Sequence, residues 1–172
     1  MDDASEQEFA EYFRARRDAV RRTAYLLCGD WHRADDHAQA SFVALHRHWG
    51  RIREPGARDA WMRRTLARAV VDESRRPWRR ERFTAEPIDA AVVGAASEGV
   101  ATRHVLVDGL RSVPPRQRAV LVLRYLEGLD IAGTAAALGC SEGTVKSQTS
   151  HGLAALRLAL GDALDDLAEG VA

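Results

Sequence analysis

Asp130-Ile131-Ala132-Gly133-Thr134-Ala135-Ala136-Ala137-Leu138-Gly139-Cys140-Ser141-Glu142-Gly143-Thr144-Val145-Lys146-Ser147 is the stretch from which the fold is read. A short helix over 130–138, a turn containing Gly139, and a longer helix from Ser141 to about Leu160 have the spacing of a helix-turn-helix. Ser141 is placed to cap the second helix. Val145, Gly152, Leu153, Leu156 and Leu160 then form its apolar side. The opposite side carries Ser141, Glu142, Thr144, Lys146, Ser147, Ser150 and His151, a set of small polar groups with one lysine that suits both phosphate positioning and base-edge contact. On helical geometry alone the same pattern also fits an αα-hairpin with a wet polar face.

Upstream, the apolar residues recur every three or four positions and no alternating run with turn dipeptides is found, so the expected class is all-α. A first helix is expected from Ser5, where Ser5-Glu6-Gln7-Glu8 forms a capping box, and it ends at Gly29. A second starts near Asp30 and stops at Gly50. Pro55-Gly56 predicts a loop over 51–58, and a third helix is expected from about Asp59 to Arg76, closed by Pro77. Residues 83–100 lack arginine and are rich in small residues, which reads as a linker. Helices over 102–111 and from Pro115 to Glu127 then lead into the helix-turn-helix. The expected organisation is two small helical domains, 1–82 and 101–160, joined by the linker at 83–100 and followed by an acidic tail at 161–172.

The 172 residues hold 25 Lys+Arg against 25 Asp+Glu, so net charge offers no general argument for a nucleic-acid partner. The distribution does. Residues 51–82 carry eleven arginines against five acids, a local excess of +6, whereas 1–50, the linker and the residues after 157 are each acidic. Four of the six residues from 75 to 80 are arginine. Arg58, Arg64, Arg68, Arg75, Arg76, Arg79 and Arg80 can follow a phosphate backbone, and Trp61 either stacks on an exposed base or packs in the core. Hydrophobic residues at 46% and charged residues at 29% fit a globular chain. No run approaches the roughly 18–20 apolar residues that span a membrane. The acidic opening Met1-Asp2-Asp3 leads into an amphipathic pattern without a signal sequence, so the expected compartment is the cytoplasm. Cys28 and Cys140 have no metal-site spacing, the six histidines form no ligand set, and no nucleophile–base pair or phosphate loop is found. The expectation is a non-enzyme without cofactor or metal.

Asp35-Asp36-His37-Ala38-Gln39-Ala40-Ser41-Phe42 resembles the acidic-Gln-Phe signature of region 2.2 in sigma factors. Ala60-Trp61-Met62-Arg63-Arg64-Thr65-Leu66 with Val71-Asp72-Glu73-Ser74-Arg75-Arg76 is similar to regions 2.3–2.4. Val113-Pro114-Pro115-Arg116-Gln117-Arg118-Ala119-Val120-Leu121, with Leu138 to Ser147, resembles region 4. The order and the two-domain layout are those of an extracytoplasmic-function sigma factor, most like the short sigma-E-like branch of actinobacteria.

The resemblance implies an alternative sigma factor with core RNA polymerase and promoter DNA as partners. Asp35, Asp36, Gln39, Phe42 and His46 would meet the β′ coiled coil, and the C-terminal domain the β flap. The arginine-rich third helix and the loop before it would read the −10 element and hold an extruded base. The helix from Ser141 would read the −35 element, the linker would follow the RNA path, and many relatives are held by an anti-sigma factor. The chain departs from the usual pattern at His37, where Leu is common, at Gly133-Thr134, and at His151-Gly152. A sigma-like interaction protein with weakened promoter binding and a stand-alone helix-turn-helix regulator are the alternative readings.

Overall fold

The computed structural model describes residues 2–75 and 100–161, and every regular element among them is helical. The first half contains α1 (Asp3–Cys28), α2 (Trp31–His48) and α3 (Pro55–Ser74); a single 3-10 turn, Trp49–Arg51, follows α2. The second half contains α4 (Val100–Ser112), α5 (Pro115–Leu121), α6 (Ile131–Leu138) and α7 (Glu142–Leu160). After Leu121 the backbone widens into one π turn, Val122–Leu126.

The helix ends follow local chemistry. Asp2, one turn before the expected Ser5, caps α1 by accepting from the Ser5 amide at 2.9 Å. A carboxylate next to free amides and the positive end of the helix dipole is favoured there. Gly29 ends α1 in the left-handed conformation at φ 75°, returning its amide to Tyr25 O. Asp30 immediately caps α2 by accepting from the Arg33 amide at 2.8 Å. This two-residue join makes α1 and α2 antiparallel neighbours. Pro55 is the first residue of α3, so the dipeptide expected to form a loop starts the helix instead. A proline needs no amide hydrogen bond in the first turn.

Tyr25, Leu27, Leu45, Trp49, Met62, Leu66 and Val70 form the centre of the first half. Tyr25 and Trp31 stack at 4.2 Å, and Phe9 and Tyr12 pack against Trp49. A fully buried side chain of this size contributes about 1.5–3 kcal/mol by burial. The same apolar cluster continues into the second half through Val107, Ala119, Val122, Leu123 and Ala137. The two halves therefore share one core, with α3 lying against α6 and α5. Smaller clusters around Leu110, Val113 and Leu121, and around Val120, Ala135 and Val145, hold α4 to α7 together.

Candidate nucleic-acid interface

The helix-turn-helix is built from α6 and α7. Gly139 ends α6 at φ 66°, and Ser141 caps α7 by accepting from the Thr144 amide at 3.1 Å. Val145 is fully buried, while Thr149 returns its hydroxyl to Val145 O. These contacts turn Ser141, Glu142, Thr144, Lys146, Ser147, Ser150 and His151 to solvent. Two of the departures have packing causes. A Cβ on Gly152 would stand 3.2 Å from Leu121 Cγ, so glycine lets α7 lie close on α5. The Gly133 amide donates to Asp130 Oδ1 at 2.6 Å, and a Cβ there would sit 3.0 Å from that oxygen.

The arginines of the first half divide by depth. Arg64 and Arg75 are exposed, Arg75 lying 3.5 Å from Asp72, and Trp61 is half-buried with its ring 5.6 Å from that of His48. Arg58, expected to contact DNA, is a structural cation instead. It is 7% exposed, donates to both Glu8 oxygens at 2.9 and 3.2 Å and to Ile52 O at 2.9 Å, and lies 3.7 Å above Trp49. These bonds turn its guanidinium inward, and its hydrogen bond holds the Glu8 carboxyl below the ordinary carboxylate range. Arg68 donates to Ala137 O at 2.8 Å and Ala136 O at 3.0 Å, across the boundary between the halves. Arg76, Arg79 and Arg80 lie outside the described residues.

Between α1 and α2 runs an open groove of about 760 Å³. Phe42 is buried in its floor, with its ring 4.9 Å from Phe13. Gln39, His46, Asp35 and Arg47 line it. Asp35 is held by the Arg21 guanidinium, which itself lies over Trp31, and His46 meets the edge of Phe9 at 4.8 Å. Asp36 is exposed beside this wall but does not line it. Other lining residues were missed in the sequence: Phe13 on α1 and Val43 on α2 are 38% and 47% exposed, and Arg17 of α1 also lines the groove. Phe13 fits the apolar period of α1, so periodicity alone cannot separate it from core. Its charged neighbours Arg14, Arg16 and Arg17 are the available signal. His37, in place of the usual Leu, puts Nε2 2.6 Å from Glu73 Oε2, and Arg33 donates to the same carboxylate at 3.0 Å. A polar tie between α2 and α3 thus replaces an apolar contact.

Residues 12–80 match the family model described as sigma-70 region 2, and residues 103–156 match that described as sigma-70, region 4. The RNA polymerase sigma-E factor of Streptomyces avermitilis is 39% identical over 154 residues, covering 87% of this chain and 83% of that protein. The chain belongs to the extracytoplasmic-function RNA polymerase sigma factors. A further sigma factor relative, the ECF RNA polymerase sigma factor SigM of Mycobacterium tuberculosis, is 33% identical over 153 residues, 89% of this chain and 77% of that one. Among solved structures, the sigma factor RpoE of Bartonella quintana, in complex with the anti-sigma factor NepR, aligns with a TM-score of 0.70 at 21% identity. It covers 90% of this chain and 97% of that chain, and the likeness is one of fold.

Region 2 of this sigma factor thus holds α1 to α3, with the groove and the arginine-bearing helix, and region 4 holds the helix-turn-helix.

Proposed function

We propose that this alternative sigma factor docks on core RNA polymerase through the α1/α2 groove and reads promoters with α3 and α7. The observation that carries the docking assignment is the groove itself: an open channel with an aromatic floor, rimmed by Gln39, His46 and the Arg21–Asp35 pair, on the segment with the region 2.2 signature. An amphipathic helix of the β′ coiled coil fits such a channel by laying its apolar face on Phe13, Phe42 and Val43. In region 4 a second apolar depression, lined by Leu106, Leu110, Leu121, Tyr125, Leu126, Leu153 and Leu156, is assigned to the β flap.

Arg64, Arg75 and Trp61, with Arg76, Arg79 and Arg80, are assigned to the −10 element, and Ser141, Glu142, Thr144, Lys146, Ser147, Ser150 and His151 to the −35 element. The phosphate-facing arginines supply salt-dependent affinity, and the polar face of α7 supplies base contacts. An anti-sigma factor, named for the Bartonella quintana protein, is proposed as a regulator here too. The chain works where core polymerase works, in the cytoplasm; no described helix is long and apolar enough to cross a membrane.

Run-off transcription with purified core polymerase on genomic promoter fragments tests this reading. Promoter-specific transcripts that depend on the added chain are expected. Core binding with no open complex on any promoter would replace it with the interaction-protein alternative.

A further inference from the structure

The end of α3 and the start of α5 border a cavity of about 420 Å³. Four guanidiniums line it: Arg33 and Arg75 from region 2, and Arg116 and Arg118 from region 4. Among the described residues no carboxylate lines it. Leu27, Val70 and Pro114 form an apolar part of the wall, and Gln117 and Gln148 bring side-chain amides. A cavity of a few hundred Å³ that combines apolar walls with a few polar groups has the character of a small-molecule site.

Two of the four cations are answered by acids. Arg33 donates to Glu73 at 3.0 Å, and Arg75 lies 3.5 Å from Asp72. The other two are not matched in this way. Arg116 is exposed and pairs with no carboxylate among the described residues. Arg118 is 2% exposed and donates to backbone carbonyls: to Val113 O from Nε and Nη2, to Arg111 O from Nη2 and to Leu27 O from Nη1. A guanidinium has five N–H donors, so these four bonds leave one Nη1 hydrogen over. Burial, opposed by Cys28 and aided by Arg33 and Arg111, lowers the Arg118 guanidinium to about 10, so it stays charged at neutral pH. A buried cation without a carboxylate partner is stabilised by an anion placed beside it. Gln117 Oε1 is buried with no hydrogen-bond partner among the described residues, and it can accept from an N–H or O–H of a ligand.

We propose that this cavity binds a nucleoside polyphosphate, with the phosphates on Arg75, Arg116 and the remaining Nη1 hydrogen of Arg118, and the base against Leu27, Val70 and Pro114. Arginine suits the role because its planar fork meets two phosphate oxygens at once. The unmatched charges of Arg116 and Arg118, with the loosely paired Arg75, balance an anion of two or more charges. A diphosphate or triphosphate supplies that, whereas a single carboxylate does not. The apolar wall and the Gln117 oxygen favour a nucleoside over a bare inorganic anion, which would leave both unused.

The test is isothermal titration calorimetry of the full free chain with ATP, GTP and inorganic pyrophosphate, without magnesium and at about 0.1 M salt. At least one nucleotide should bind saturably, one per chain and tighter than pyrophosphate by about tenfold or more, and should raise the melting temperature. Arg116→Ala and Arg75→Ala change exposed side chains in different halves of the molecule. Each should weaken nucleotide binding by about tenfold or more while the helical circular dichroism is kept, and if one variant loses helix content the other carries the comparison. Arg14→Ala removes the same charge from an exposed position of α1 outside the cavity, and should leave the affinity within about twofold. No saturable binding, equal affinity for pyrophosphate and the nucleotides, or equal losses in Arg116→Ala and Arg14→Ala overturns the site. Every arm is read on the chain without polymerase or promoter, so its outcome is separate from that of the transcription test.

Discussion

The α1/α2 groove and the face of α3 belong to one three-helix unit, yet they stand in opposite states. The groove leaves Phe13 and Val43 open to solvent, and its lining among the described residues comes from α1 and α2. The α3 face is packed on α6 and α5 and has one of its arginines tied to helix-end carbonyls. The difference teaches that partners divide the arginines of α3: Arg68 is committed to the joint with region 4, whereas Arg64 and Arg75 stay exposed.

The two surfaces share a support, and breaking it gives the largest expected effect. Trp49 is 1% exposed, touches Phe9 of the groove wall and lies under Arg58 at the start of α3. Trp49→Ala should cost about 3–5 kcal/mol in urea unfolding and impair both surfaces together. Retention of either one would show that they are supported separately. Next comes the contrast between two arginines six residues apart. Arg58→Ala should cost about 1–3 kcal/mol of stability, because it leaves the Ile52 carbonyl without its donor and uncovers the Trp49 ring, and should leave the salt dependence of promoter binding unchanged. Arg64→Ala should stay within about 0.5 kcal/mol of wild type in stability and reduce the salt slope by about 1. A reversed pattern would exchange their roles.

A smaller effect isolates the groove. Gln39→Ala with Val43→Asp should weaken core polymerase binding by about tenfold or more in a titration, with the melting temperature nearly unchanged, since both side chains are exposed. Undiminished binding would move the docking surface elsewhere. The smallest effect is the pH dependence of the Glu8–Arg58 pair. A carboxyl held below its ordinary value of 4.5 stabilises the fold above that pH and loses this contribution as the pH falls through its folded value. The difference in melting temperature between wild type and Glu8→Gln should therefore shrink in acid. A difference that is constant with pH would assign the effect to packing.

The helical class, the join at Gly29-Asp30 and the helix-turn-helix capped by Ser141 were legible because each rests on residues within a few positions of one another. Pro55-Gly56 misled because proline favours both a turn and the first residue of a helix. Arg58 misled for a different reason: counting arginines measures charge but not depth, and the carboxylate that holds it lies fifty residues upstream. Contacts across the boundary were beyond reach for the same cause. Gly29 and Gly139 read correctly as helix stops, but nothing local shows that an arginine from the other half will seat on each.

The most direct measurement is the affinity of a labelled single-stranded −10 oligonucleotide for the chain alone and for the chain on core polymerase, by anisotropy at one salt concentration. If docking through the α1/α2 groove equips the chain to read promoters, the free chain binds more weakly by about tenfold or more, and Gln39→Ala with Val43→Asp removes the gain that polymerase gives. Equal affinity with and without polymerase would contradict the account.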